Sequence, residues 1–318
     1  MSVIKKGNIV YLSTGSHNYY YDESLPLLGE GAMGIVYKGV EPSTRSAVAI
    51  KRVRDRYANM PDIRRRAHLE ASLMFSHPNL VEMYGCCEVA PNKGPLFIIS
   101  GFVDGDTINN FINKNIRQLP EAEKKICQLF MPIFDALSYI HQKKIFHLDI
   151  KPTNIMVEKG RNVRLMDLGI ANVSEGDSAI YGLMGTPRYA APEQFANIGN
   201  VSKFTDATDI YEAGVTLYEL ITNCNPFPNN KDEARKLHET LILPKTLAIS
   251  DSVLSVLQKA TAADPLKRYQ KASEMKFALQ KALEQRESRL DHTWKYMGIT
   301  FIAVLVLFGL ILMINSLT

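Results

Sequence analysis

Asp149, Lys151 and Asn154 fall within six residues of one another, two places behind His147, in the run His147-Leu148-Asp149-Ile150-Lys151-Pro152-Thr153-Asn154. An Asp can accept a proton, a Lys can neutralise a phosphate, and an Asn carbonyl oxygen can hold a hard cation. Pro152 lacks an N–H and disfavours helix at the residue before it, so the run reads as a stiff loop presenting polar groups together. Such a set suits phosphoryl transfer, where catalysis is mostly positioning and charge stabilisation. A second carboxylate, Asp167, ends the short apolar run Val163-Arg164-Leu165-Met166 and precedes Leu168-Gly169. An Asp-x-Gly turn at a strand end exposes a carboxylate where a hard cation can reach it.

These groups need elements to hold them. Leu27 to Gly39 contains Gly29, Gly31 and Gly34 at G-x-G-x-x-G spacing, with Val36 two places beyond. Its β-branched flanks predict strand–turn–strand. A dinucleotide fold would need a helix directly after the glycines, whereas a hairpin can fold over phosphates with its N–H groups. Ala47 to Lys51 reads as a strand ending in one Lys, a phosphate ligand if the glycine turn lies beside it. Pro61 to Phe75 reads as a helix carrying Glu70, with Arg64-Arg65-Arg66 as its solvated face. His77 to Val81 leads into a strand, and Leu96 to Ile99 is another. Gly101 and Gly105 mark a hinge. Pro120 to His141 and Asp209 to Leu220 read as helices. Residues 1–24 read as an extension with no assigned chemistry.

The chain has 318 residues, 46% of them hydrophobic, with a net charge of +4. That is length for a two-lobed domain and too little charge to argue for nucleic acid. Cys86, Cys87, Cys127 and Cys224 show no Cys-x-x-Cys spacing, which disfavours zinc and a disulfide framework. Met297 to Ile314 carries no charge and is long enough for a short membrane span, with Trp294 and Tyr296 at its near edge and Arg286, Arg289 and Lys295 before it. It is expected to be a single-pass C-terminal anchor to the lipid bilayer, with everything before it cytoplasmic.

In their order, these motifs resemble the eukaryotic-type serine/threonine protein kinases, with wording most similar to bacterial members, over roughly residues 25–285. The resemblance implies an α+β bilobal fold. It comprises an N-lobe at about 25–103 and a helical C-lobe at about 104–285, followed by a juxtamembrane segment at 286–296, the span at 297–314 and a tail at 315–318. It implies ATP and Mg²⁺, with Mn²⁺ as an alternative, and Ser/Thr-bearing protein substrates. Lys51 would hold the α- and β-phosphates and pair with Glu70. Asp149 would take the substrate hydroxyl's proton, Lys151 would steady the γ-phosphate, and Asn154 and Asp167 would hold the metal. Gly29, Gly31 and Gly34 would cover the phosphates. Val36, Ala49, Phe102, Val103 and Met156 would enclose adenine, with the small Ser100 behind it. Glu193 would pair with Arg268. A homodimer for autophosphorylation is a further expectation.

The chain departs from the family pattern at four places. Leu148 stands where many kinases have an Arg that gathers a phosphorylated loop, so phosphorylation at Ser174, Ser178 or Thr186 is less obligatory. Leu168 replaces Phe, and Tyr211 stands where Trp is common. Counted back from His77-Pro78-Asn79, Glu70 is two residues too close, and His68 takes its expected place. That spacing keeps a second reading open: a pseudokinase scaffold that binds nucleotide and partners without phosphotransfer. A small-molecule phosphotransferase fits less well with the peptide-platform run Thr186 to Glu193.

Overall fold

The computed structural model describes residues 2–31, 34–72, 75–90, 93–159, 162–167, 185–195 and 204–285. The side chains at 62, 66, 69, 70, 90 and 93 lie outside that description. So do Leu168, the segment with Ser174 and Ser178, and the apolar run 297–314. Among the described residues no helix is long and apolar enough to cross a membrane.

The N-terminal lobe is built on one antiparallel sheet. Its strands are β1 (Ser2–Lys6), β2 (Ile9–Ser13), β3 (Asn18–Asp22), β4 (Gly29–Glu30), β5 (Gly34–Glu41), β6 (Ser46–Val53), β7 (Met83–Ala90) and β8 (Lys93–Gly101). Their order is β1-β2-β3-β5-β6-β8-β7, with β4 paired to β5. The glycine run is therefore a hairpin, as its β-branched flanks predict.

The N-terminal segment, expected as an extension with no assigned chemistry, joins the sheet. It supplies β1 to β3, and the sheet curls until β1 comes beside β7. Val10, Leu12, Tyr19 and Tyr21 turn inward onto Val48, Ile50, Phe97 and Ile99. Alternation of side chains along a strand makes this possible, and each such buried side chain is worth roughly 1.5–3 kcal/mol. Lys5, Lys6 and the Gly-Ser turn mask the pattern in sequence.

The outer face of the same sheet packs on α1 (Asp55–Ala58) and α2 (Pro61–Ser72) through Val53, Met83, Leu96 and Ile98 against Ala58 and Ala67. Arg64 is not part of a solvated face. It is 2% exposed, and its guanidinium meets Glu88 on β7 and the Gly94 carbonyl.

The C-terminal lobe opens with β9 (Gly105–Thr107), α3 (Ile108–Asn115) and α4 (Ala122–Gln142). A small sheet of β9, β10 (Ile155–Glu158) and β11 (Asn162–Leu165) carries the loops of interest. Below it lie α5 (Asp206–Thr222), α6 (Lys231–Thr240), α7 (Asp251–Ala260) and a closing helix at 272–285. Helix α5 starts three residues before the expected Asp209, because Thr205 and Thr208 form a capping box at its N-terminus. Gly214 lets α5 approach α7: a Cβ there would sit 2.9 Å from Thr261 and 3.1 Å from Ala260.

Residues 79–81, which lead into β7, also clasp the lobes together. Val81 N–H donates to the Leu165 carbonyl (3.0 Å), and Leu165 N–H donates to the Asn79 carbonyl (2.9 Å).

Candidate active site

Helix α5 fixes the loop that carries Asp149, and it does so with buried acids. Asp209, fully buried, accepts the N–H groups of His147 (2.8 Å) and Leu148 (2.9 Å) and pairs with His141 Nε2 (2.7 Å). Glu212, one turn on, accepts the N–H of Ile150 (2.8 Å) and an amide N–H of Gln194 (3.0 Å). Burial, reinforced by the charge of Asp209, pushes the Glu212 carboxyl well above the usual range. Thr216 donates to the Ile150 carbonyl (2.8 Å), and Gln194 donates to that of Leu148 (3.2 Å). The N–H groups of 147, 148 and 150 and the carbonyls of 148 and 150 are thus met by side chains, as buried backbone must be. Leu148 can then hold a left-handed φ of 59°. Its side chain is buried with Phe146 and Phe204. Gly185 packs against it, because a Cβ there would come 2.5 Å from the Leu148 carbonyl oxygen.

On this support Asp149 is half-buried and held at both oxygens. Oδ1 accepts from Thr186 Oγ1 (2.7 Å), while Oδ2 accepts from Lys151 Nζ (2.6 Å) and Asn154 Nδ2 (3.0 Å). Lys151 also donates to Thr186 (2.7 Å). Asn154 Nδ2 donates to the Asp149 carbonyl as well (2.8 Å), so the amide nitrogen is committed and the carbonyl oxygen is the end left for a cation. His147 joins this loop to the next. Its Nε2–H donates to the Met166 carbonyl (2.9 Å), and its Nδ1 accepts the Asp149 N–H (3.3 Å). Met166 N–H donates to the Asn154 carbonyl (2.8 Å), which brings Asp167 beside Asn154 along the chain.

Across the cleft, β6 alternates buried Val48 and Ile50 with half-exposed Ala49 and Lys51. Register then sets Val36 opposite Lys51 and Ser100 opposite Ala49, so these four share one face. Lys51 Nζ reaches Asp167 Oδ2 (2.9 Å). The ammonium beside it holds the Asp167 carboxyl below the usual range. Asp167 adopts a left-handed φ of 48°, which turns its carboxylate into the cleft. Gly34 sits where a Cβ would come 2.6 Å from the Arg52 carbonyl oxygen, while Gly29 and Gly31 have open space around them. Arg54 ties this hairpin down through the Gly31 carbonyl (3.2 Å) and Glu30. Phe102 lies under Lys38, 4.4 Å from ring centroid to Nζ. Val103 is buried and Met156, on β10, is half-buried. The pairing of Lys51 with Glu70 rests on a side chain outside the described residues.

The platform beside Asp149 is braced in three ways. Glu193 and Arg268 form a bidentate pair (2.8 and 2.9 Å), with the Arg268 side chain fully buried and its guanidinium 4.7 Å from the Tyr211 ring centroid. Tyr211 donates to His238 Nδ1 (2.7 Å), and His238 Nε2–H donates to the Pro187 carbonyl (2.8 Å). Burial pulls His238 down to about 4, so the ring is the neutral tautomer those two bonds require. Sequence reasoning passed over His147, Thr186 as a partner of Asp149, Gln194, Glu212 and His238. The His-x-Asp spacing was the one available signal; the others act over 18 to 62 residues of separation.

A model of the protein kinase domain matches residues 23–283. The chain belongs to the protein kinase family. Among curated proteins it is 31% identical over 269 residues to the serine/threonine-protein kinase PrkC of Bacillus subtilis, covering 82% of this chain and 40% of that protein. It is 30% identical over 277 residues to PknB of Mycobacterium tuberculosis, covering 83% and 43%. The chain thus spans about two fifths of the length of these relatives. Among solved structures, the kinase domain of Mycobacterium tuberculosis PknI superposes with a TM-score of 0.63 at 23% identity, over 84% of this chain and 96% of that one. That likeness bears on the fold: a β-rich N-lobe on a helical C-lobe.

Proposed function

We propose that this kinase transfers the γ-phosphate of ATP to Ser/Thr hydroxyls of protein substrates, itself among them, while tethered to a membrane by residues 297–314. The reading is supported above all by Asp149, whose carboxylate is aimed by Lys151, Asn154 and Thr186 together. Asp149 orients the acceptor hydroxyl and takes its proton as the oxygen attacks. Lys151, already 2.7 Å from Thr186, lies where it can meet the transferred phosphate. Lys51 and the glycine hairpin hold the remaining phosphates, and Val36, Ala49, Val103 and Met156 line the place for adenine below Ser100.

The donor set at the metal position fits a hard cation. It pairs an ionised Asp167 carboxylate with the amide oxygen of Asn154, the oxygen ligands that Mg²⁺ or Mn²⁺ prefers. When bound there, the ion neutralises charge on the phosphate oxygens. Thr186 is engaged by Asp149 and Lys151, which makes it a positioning residue for this site. The apolar burial of Leu148 removes the cation that would gather a phosphorylated loop, so loop phosphorylation is less obligatory for activity. No observation among the described residues favours the scaffold reading.

Incubation with labelled ATP and Mg²⁺ tests the activity. Asp149→Asn should lower incorporation about 10²–10⁴-fold, the usual worth of a positioned base. Equal incorporation in both proteins removes the proposal. For the tether, removing residues 290–318 should move the protein from the membrane pellet to the soluble fraction; continued pelleting contradicts it.

A further inference from the structure

Helix α2 meets strand β7 through a chain of polar groups that the phosphotransfer site does not use. Cys86 Sγ lies 3.1 Å from His68 Nδ1, and His68 Nε2 lies 3.1 Å from Glu88 Oε1. Glu88, 9% exposed, is held in turn by the buried guanidinium of Arg64. A nucleophile, a base touching it and a carboxylate orienting the base from behind are the arrangement that activates a thiol or hydroxyl elsewhere in protein chemistry. Strand alternation makes the choice of cysteine. Cys86 faces the helix, whereas Cys87 turns into the inner apolar cluster, where burial pushes its thiol up to about 12. Cys86 itself is buried, 4% exposed, and the imidazole against it, 37% exposed, is the solvent-facing end of this chain of groups.

We propose that Cys86 is a peroxide-reactive modification site, with His68 as its base and Glu88 as the group that orients His68. The thiol proton passes to Nδ1 while Nε2–H donates to Glu88, whose other oxygen meets Arg64. The thiolate attacks one oxygen of hydrogen peroxide and the O–O bond breaks. The sulfur gains that oxygen and becomes a sulfenic acid, oxidised by two electrons. The second oxygen leaves as hydroxide and takes the proton from Nδ1 to become water. The new oxygen must enter a gap of 3.1 Å between Sγ and Nδ1, so it parts α2 from β7. Helix α2 packs on the sheet whose strand β6 carries Lys51, so oxidation at Cys86 disturbs that packing and lowers phosphotransfer.

The test pulses the reduced full chain with hydrogen peroxide in the presence of a cyclic-diketone probe for sulfenic acid, and reads labelling peptide by peptide. Cys224, which is exposed, is the internal comparison. Cys86 should label at least tenfold faster than Cys224 in the wild type. His68→Gln and Glu88→Gln should each slow Cys86 about tenfold or more and leave Cys224 unchanged. Cys224 labelling as fast as Cys86 overturns the proposal on the wild type alone, whatever the variants do to folding. An unchanged Cys86 rate in His68→Gln overturns it as well. In the second arm, peroxide should reduce phosphotransfer of the wild type, reversibly by a dithiol, and spare Cys86→Ser; full activity in wild type labelled at Cys86 overturns the coupling to α2. The labelling arm needs no phosphotransfer, so it stands apart from the proposed activity.

Discussion

The two sides of the cleft are held by different means. Below it, the loop carrying Asp149 rests on Asp209, Glu212, Thr216 and Gln194, all buried side chains that meet backbone groups. Above it, Lys51 and Asp167 form a 2.9 Å ion pair whose side chains are 26% and 50% exposed. Buried polar networks that are fully satisfied fix one arrangement, whereas an exposed ion pair is worth little and rearranges readily. The lower side is therefore set by the fold itself, and the upper side is free to reorganise around its ligand. The contact between α2 and β7, with Cys86 and His68 in it, belongs to the upper side.

Breaking the lower side should cost the fold as well as the reaction. Asp209→Ala leaves the N–H groups of His147 and Leu148 and the ring of His141 without their acceptor. Stability should fall by about 3–5 kcal/mol, the cost of stripping one member from a buried charged network. Calorimetric or denaturant unfolding measures this, and a loss below about 1 kcal/mol, the range of a surface pair, would contradict the contrast. Breaking the upper side should separate the two effects. In Lys51→Met, stability should change by less than about 1 kcal/mol, as for exposed pairs, while phosphotransfer falls by about 10²-fold or more. A large drop in melting temperature with the rate preserved would invert the comparison.

Much of the lower side was legible as residue types at fixed spacing. The run 147–154 and the Asp-x-Gly pattern are near neighbours in sequence, and Pro152 announces the loop; the Glu193–Arg268 pair, 75 residues apart, came only from the family resemblance. The acids beneath were harder to read. Asp209 and Glu212 sit in an apolar helix and act on backbone groups 61 and 62 residues earlier, a relation no local period carries. The strands of residues 1–24 were missed for another reason. Alternation over five-residue stretches interrupted by lysines and a Gly-Ser turn is a weak signal, and burial of Tyr19 and Tyr21 appears only once the sheet curls. Arg64 was read as solvated because its neighbours are arginines; its partner, Glu88, lies on β7 across the α2 packing face.

The central claim is that the catalytic loop is in place without loop phosphorylation, since Leu148 is packed and Asp209 and Glu212 hold the backbone. The most direct measurement is the initial rate of phosphotransfer to a peptide by protein stripped with a phosphatase, compared with the same protein after incubation with ATP. The account predicts rates equal within about twofold and no lag, a barrier difference under about 0.4 kcal/mol. A lag, or a stripped rate lower by about tenfold, which is roughly 1.4 kcal/mol, would contradict it.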